Sequence, residues 1–312
     1  MISINDLVRS GLLVTACFLA GIAAVPAAPA VPSATCRELE QQFDLRKAGI
    51  IPAQLNSLLF SAADSACVPL ARRLLDAGAS LEARDRFGAM PLARAARVGH
   101  IALIELFVAR GAAIDARNLV GATALYGAAE NERQGSVALL LAKGADPNLA
   151  GPSGVTPLAA AAFKGNGRIV DQLIARGADP DIVDASGKSA MTYAAGRAFA
   201  LVVRRLLDAG VDAKRAYGND LTALMWAAGH EDGVGAGAAI EVVTLLLDAG
   251  ARIDAVDNRG RTALMTAAEL GRAAVVDSLL ARGADRTIID KSGKSALDLA
   301  ADESVRAKLM SK

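Results

Sequence analysis

Histidine is almost missing from this sequence, with two residues, His100 and His230, in 312. That shortage removes the commonest general base and a common metal ligand. No G-x-S-x-G, H-E-x-x-H, C-x-x-C or phosphate-loop pattern occurs either. A surplus of one charge is also lacking. Lys plus Arg number 34 and Asp plus Glu 33, so there is no chain-wide basic field to grip nucleic acid. Aromatic residues make up only 4%, which disfavours a sandwich with an aromatic core. Alanine, glycine and leucine dominate, a composition suited to small, closely packed helices.

The N-terminal apolar run, from Gly11 to Val25, is shorter than the ~20 residues a bilayer-spanning helix needs. Arg9 and the α-amino group precede it and the small residues of "VPAAPA" follow it. This is the pattern of a secretory signal, cleaved after Ala27 or Ala30. Residues 1–30 are therefore expected to be a signal peptide. The mature protein is expected to be periplasmic or secreted, with no membrane span. A retained anchor and a lipid-modified Cys17 in "VTAC" are the alternatives, although apolar residues continue past Cys17. Cysteine is scarce as well. The mature chain would keep only Cys36 and Cys67, an even pair that in an exported protein is a candidate disulfide. Two independent buried thiols are the other reading.

What the sequence has in quantity is self-similarity. Copies read "GAMPLARAARVGH" from Gly88, "GATALYGAAENER" from Gly121, "GVTPLAAAAFKGN" from Gly154, "GKSAMTYAAGRAF" from Gly187 and "GRTALMTAAELGR" from Gly260. The leucine-type position recurs at Leu92, Leu125, Leu158, Met191, Leu224, Leu264 and Leu297, at intervals of 33, 33, 33, 33, 40 and 33. A second landmark keeps the same period, with glycines at 78, 111, 144, 177, 210, 250 and 283. Thr123, Thr156, Ser189, Thr222, Thr262 and Ser295 are placed to cap a first helix. An Ala-Ala pair thins that helix where a neighbour approaches. Val275, Val276, Leu279 and Leu280 share one face of a second helix, which Gly283 should end in a left-handed conformation.

From about Ser57 to the C-terminus these residues resemble the ankyrin repeat family. The "TALMWAA" and "TALMTAA" forms look like its exported bacterial members. The resemblance implies an all-α solenoid of stacked units, each a β-turn and two antiparallel helices, with caps at both ends. A linker and capping helix are expected over 31–54, with Leu39, Phe43 and Leu45 near helical spacing. The repeat domain is expected over 55–312. Its units are 55–84, 85–117, 118–150, 151–183, 184–216, 217–256 with an insertion at 231–237, 257–289 and a partial C-terminal cap at 290–312. The family's histidine after the leucine is absent throughout, and Asp220 replaces one turn glycine. In the degenerate first copy Cys67 stands where His100 stands in the next.

The resemblance implies protein binding through the concave face and turn tips, with no catalysis and no cofactor. The partner would be another protein and the chain monomeric. The tips and the exposed side of the first helices carry Phe87, Arg97, Leu119, Val120, Glu130, Asn131, Phe163, Lys164, Arg197, Tyr217, Arg259 and Glu269. Phe87, Leu119, Val120, Phe163 and Tyr217 would form an apolar stripe, unless several fold inward. Trp226 is read either as core or as a partner anchor. His100 is read as a capping and hydrogen-bonding residue. His230 sits in "GHEDGVGAGAAIE" beside Glu231 and Asp232, the one cluster with metal-ligand types. Neighbours in a glycine-rich loop are poorly arranged to share one ion, so no metal is expected there. A mobile, solvated loop is expected instead, with His230 available to a partner. A metal-dependent protein or enzyme using this loop, or a secreted effector, are the alternative functions.

Overall fold

The computed structural model describes residues 34–230 and 232–311. The signal expected over 1–30, Cys17, the start of the linker and Glu231 lie outside the described residues. Helix α1 (Ala34–Arg46) caps the N-terminal end, and a series of helix pairs follows. The first helices of the pairs are α2 (Pro52–Asp64), α4 (Pro91–Val98), α6 (Ala124–Glu130), α8 (Pro157–Lys164), α10 (Ala190–Gly196), α12 (Ala223–Ala228), α14 (Ala263–Glu269) and α16 (Ala296–Leu299). The second helices are α3 (Val68–Asp76), α5 (Ile101–Ala109), α7 (Gln134–Ala142), α9 (Gly167–Ile174), α11 (Ala200–Asp208), α13 (Ala236–Asp248), α15 (Ala273–Ala281) and α17 (Glu303–Met310). First helices pack on first helices and second on second, so the chain is an all-α solenoid. Among the described residues there is no strand, only two isolated bridges, Ala216 with Thr222 and Ile289 with Ser295.

The local chemistry of each unit repeats. The hydroxyls of Thr123, Thr156, Ser189, Thr222, Thr262 and Ser295 each accept from the backbone N–H three residues on, closing the first turn of a first helix. Such a cap is worth about 1 kcal/mol. The first two units have Ile51 and Met90 at this point and substitute a proline at the first helical position, Pro52 and Pro91, whose fixed φ suits the helix start. The Ala-Ala pairs, from Ala62–Ala63 to Ala267–Ala268, are fully buried between adjacent first helices. The second helices bury trios such as Ile169, Val170 and Leu173, or Val202, Val203 and Leu206. Each such side chain contributes roughly 1.5–3 kcal/mol by leaving water. The glycines that end the second helices are left-handed throughout, Gly283 at φ 88° among them.

Between units the chain makes a finger-like turn. In most fingers one acid or amide closes it. Asp85, Asn118, Asp184, Asp257 and Asp290 each accept, through Oδ1, backbone N–H groups two and four residues on. Two fingers lack that side chain, having Gly151 and Tyr217 at the position. Both close instead as a single 3-10 turn with a left-handed non-glycine residue, Ser153 at φ 54° and Asn219 at φ 62°. Asp220, where a turn glycine was expected, is left-handed too at φ 60°. Neighbouring fingers bond to each other, for example Ala185 N to Ser153 O at 2.8 Å and Lys291 N to Arg259 O at 2.9 Å.

Three expectations are corrected. In α1 the buried face is Cys36, Leu39 and Phe43, while Leu45 is 87% exposed. Two residues past Phe43, Leu45 lies about 200° further round the helix. The insertion is not all loop. Helix α13 begins at Ala236 and so runs one turn longer than α11 or α15. Its preceding loop is tethered, because Arg272 Nη2 donates to His230 O at 3.0 Å and to Asp232 Oδ1 at 2.6 Å. Val234 packs against the core, and His230 is buried at 5% exposure. At the N-terminal end, Cys36 and Cys67 stand at disulfide-bonding distance, with Cα atoms 5.5 Å apart. This joins α1 to the turn that starts α3.

Candidate protein-binding groove

Each first helix turns one side toward the fingers, and four cavities line up along that side. The first, about 610 Å³, lies between Phe60, Asp64, Phe87 and Arg94. Phe87 and Arg94 also wall the second, about 200 Å³, which extends to Tyr126 and Glu130. Those two residues wall the third, about 210 Å³, with Phe163, Lys164 and Tyr193. Phe163 and Tyr193 continue into the fourth, about 100 Å³, with Lys188, Thr192, Gly196, Trp226 and Gly229. Shared walls make the four one trough, crossing the first six units.

The middle of the trough is aromatic. Phe163 and Tyr193 meet edge to face with centroids 5.6 Å apart, a favoured quadrupole arrangement. Cations lie over the rings: Arg197 is 4.3 Å from the Phe163 centroid, and Lys188 Nζ is 4.8 Å from Trp226 and 5.5 Å from Tyr193. Such contacts contribute about 0.5–1 kcal/mol at exposed sites. Tyr126 owes its place to Gly151, since a Cβ there would come within 2.7 Å of the Tyr126 ring. The finger that lacks its acid thus admits an aromatic side chain from the previous unit.

The phenols are anchored. Tyr193 Oη donates to Asp184 Oδ2, and Tyr126 Oη donates to Glu130 Oε1 at 3.3 Å. Burial, reinforced by the adjacent Asp184, raises the pKa of Tyr193. Burial and Glu130 push Tyr126 up to about 12. Burial alone would raise Asp184, but its bonds from Tyr193, Ser186 and the Lys188 N–H outweigh that and hold it low. These groups keep one protonation state near neutrality, so they orient rings rather than move protons.

Of the residues expected to bind a partner, Arg97, Glu130, Phe163 and Lys164 line the trough, and Arg197 stacks on Phe163. Phe87 also lines it, while Leu119 and Val120 sit at the neighbouring finger, 76% and 61% exposed. Asn131 faces its own helix, donating to Gly127 O at 2.9 Å. Arg259 pairs with Asp257, and Glu269 with Arg261, in the seventh unit. Two residues are corrected. Tyr217 folds inward to 8% exposure, filling the finger position where other units have an acid, and His230 is likewise buried. Tyr217 therefore does not join the exposed stripe, and the His230 ring does not stand in solvent. Among the described residues no group of three or more His, Cys, Asp or Glu is placed to hold a metal ion. His100 starts α5 and its Nε2 lies 3.1 Å from Asp64 O.

Tyr126, Tyr193 and Lys188 were not singled out from the sequence. The signal that finds them is scarcity. In a chain with three tyrosines and one tryptophan, two of the tyrosines and the tryptophan stand on trough-facing positions of first helices, on α6, α10 and α12.

Comparison with known proteins agrees with this architecture. A family model described as ankyrin repeats (3 copies) matches residues 59–150 and 158–236. Two related models, ankyrin repeats (many copies) and ankyrin repeat, match 246–300 and 219–258. Among solved structures, the human ASB11 ankyrin repeat domain is similar, with a TM-score of 0.64 at 26% identity. The match covers 71% of this chain and 97% of that one.

Proposed function

The chain belongs to the ankyrin repeat family, and we propose that it is a non-catalytic module that holds a protein partner in the trough beside the fingers. Ankyrin repeats in general mediate protein–protein interaction. The observation that carries the reading here is the concentration of scarce aromatic side chains, half-buried and ringed by cations, in one continuous trough. Aromatic anchors in partly desolvated pockets supply most of the energy of protein interfaces. The reading predicts that a partner co-purifying with the wild-type chain is lost from the Phe163→Ala, Tyr193→Ala double variant while helical signal is kept. A partner retained by that folded variant sinks the trough as the binding site.

We also propose that the protein is exported as a monomer after removal of residues 1–30, and that Cys36 and Cys67 are oxidised to a disulfide there. The apolar run from Gly11 to Val25 and the geometry of the cysteine pair support this. Intact mass of the exported protein, measured without reductant, tests both. A mass that includes Met1 removes the export reading, and a lipid adduct on Cys17 replaces it with a lipoprotein.

A further inference from the structure

We infer that the slot between Tyr193 and Trp226 receives a large apolar side chain from an acidic segment of a partner protein. This rests on the trough being a protein-binding site and specifies what it binds. The slot exists because of Gly196. That residue ends helix α10 with no left-handed φ to require glycine, and a Cβ there would meet only Trp226, its Cε3 at 3.5 Å and its backbone O at 3.9 Å, both ordinary contacts. Neither backbone nor packing within the chain demands glycine, and glycine weakens a helix. What its absent side chain leaves is a space of about 100 Å³ between Tyr193 and Trp226. Gly229, by contrast, has an internal reason, because its Cβ would lie 2.9 Å from Thr266 Cγ2.

The rim of the slot fixes the charge of the occupant. Lys188 Nζ stands over both rings and Lys164 Nζ lies 6.0 Å from the Phe163 centroid. Among the described residues neither ammonium has an ion-pair partner. The nearby carboxylates are engaged: Asp184 is buried under four donors, and Glu130 accepts from Tyr126. A chain of nearly balanced total charge therefore presents a positive rim around an aromatic slot. A carboxylate beside an apolar anchor complements both, steering encounter and excluding basic segments.

The test selects random twelve-residue peptides, displayed on phage, on the full chain and re-screens them on Gly196→Leu, Lys188→Glu and Phe163→Ala. Selected peptides are expected to pair a large apolar residue with Asp or Glu. Gly196→Leu, which fills the slot, should weaken them at least tenfold with an unchanged melting curve. Lys188→Glu should weaken them similarly and favour counterparts in which Lys replaces the acid. Peptides that depend on Phe163 but are basic or neutral, or that ignore Gly196→Leu, overturn this inference and leave the trough as a protein-binding site. Absence of any Phe163-dependent peptide overturns both.

Discussion

Asp290 shows what one side chain does for a finger. Its Oδ1 accepts from Ser292 N, Ser292 Oγ and Lys294 N at 2.8, 2.6 and 3.0 Å, and Arg261 Nε lies 3.4 Å from Oδ2. The bond from the Ser292 hydroxyl, followed by the Lys294 N–H, draws its pKa down to about 2. A carboxylate lowered on folding stabilises the folded chain above its unfolded value, roughly pH 4, and loses that contribution as pH falls toward the folded value. Asn118 builds the same turn with a neutral amide, so Asp290→Asn should keep the fold and remove only the charge. Melting temperature measured across pH should show the variant below wild type at pH 7, with the gap closing between about pH 4 and 2. A gap that persists at pH 2 would mean that the charge is not what matters.

At the scale of elements, the turn between the two helices of a unit is the informative piece. It uses a left-handed residue in most units, glycine at Gly99, Gly165 and Gly271 but Ala66, Glu132 and Ala198 elsewhere. The sixth unit keeps a left-handed residue, Gly233 at φ 88°, but lengthens the turn with its insertion. Residues 236–238 are exposed, whereas Val234 packs on the core and Asp232 pairs with Arg272. Deleting 231–237 restores the length of the other turns and should leave the solenoid folded. It should cost about 1–2 kcal/mol, from partial burial of one valine and a surface ion pair. Thermal melting and far-ultraviolet dichroism of the deletion variant check this. Loss of helical signal would show that the longer α13 is required by its neighbours.

At the scale of the whole molecule, a solenoid is stabilised unit by unit, and its ends have a neighbour on one side only. The C-terminal end is tied by Arg286 to Leu309 O at 3.0 Å and by Lys308 to Asp277. The N-terminal end has α1, buried through Phe43, and the Cys36–Cys67 pair, separated by 31 residues. Closing a loop of that size stabilises by about 3.7 kcal/mol in the chain-entropy account. Reductant should therefore lower the melting temperature of the wild type and leave a Cys36→Ser, Cys67→Ser variant unchanged. Hydrogen exchange should quicken first in α1 and α2. Equal response of both proteins to reductant would remove the disulfide from this account.

The fold was legible because its signals are local and repeated. A hydroxyl before six of the first helices, an alanine pair within them and a glycine after most second helices fix register within a dozen residues, and 33-residue recurrence makes chance agreement negligible. The trough was only partly legible. Phe163, Glu130 and Arg97 follow from their positions on first helices, but Tyr193 becomes a wall only because Trp226 arrives from the next unit, 33 residues away. Tyr217 points inward because its finger has no acid to close it, and Leu45 points outward because α1 buries Cys36 and Phe43 instead. Sequence period determines which element a residue belongs to. Which neighbour it faces is decided by packing between units, where Gly151 makes room for Tyr126 and Gly196 leaves room for something else.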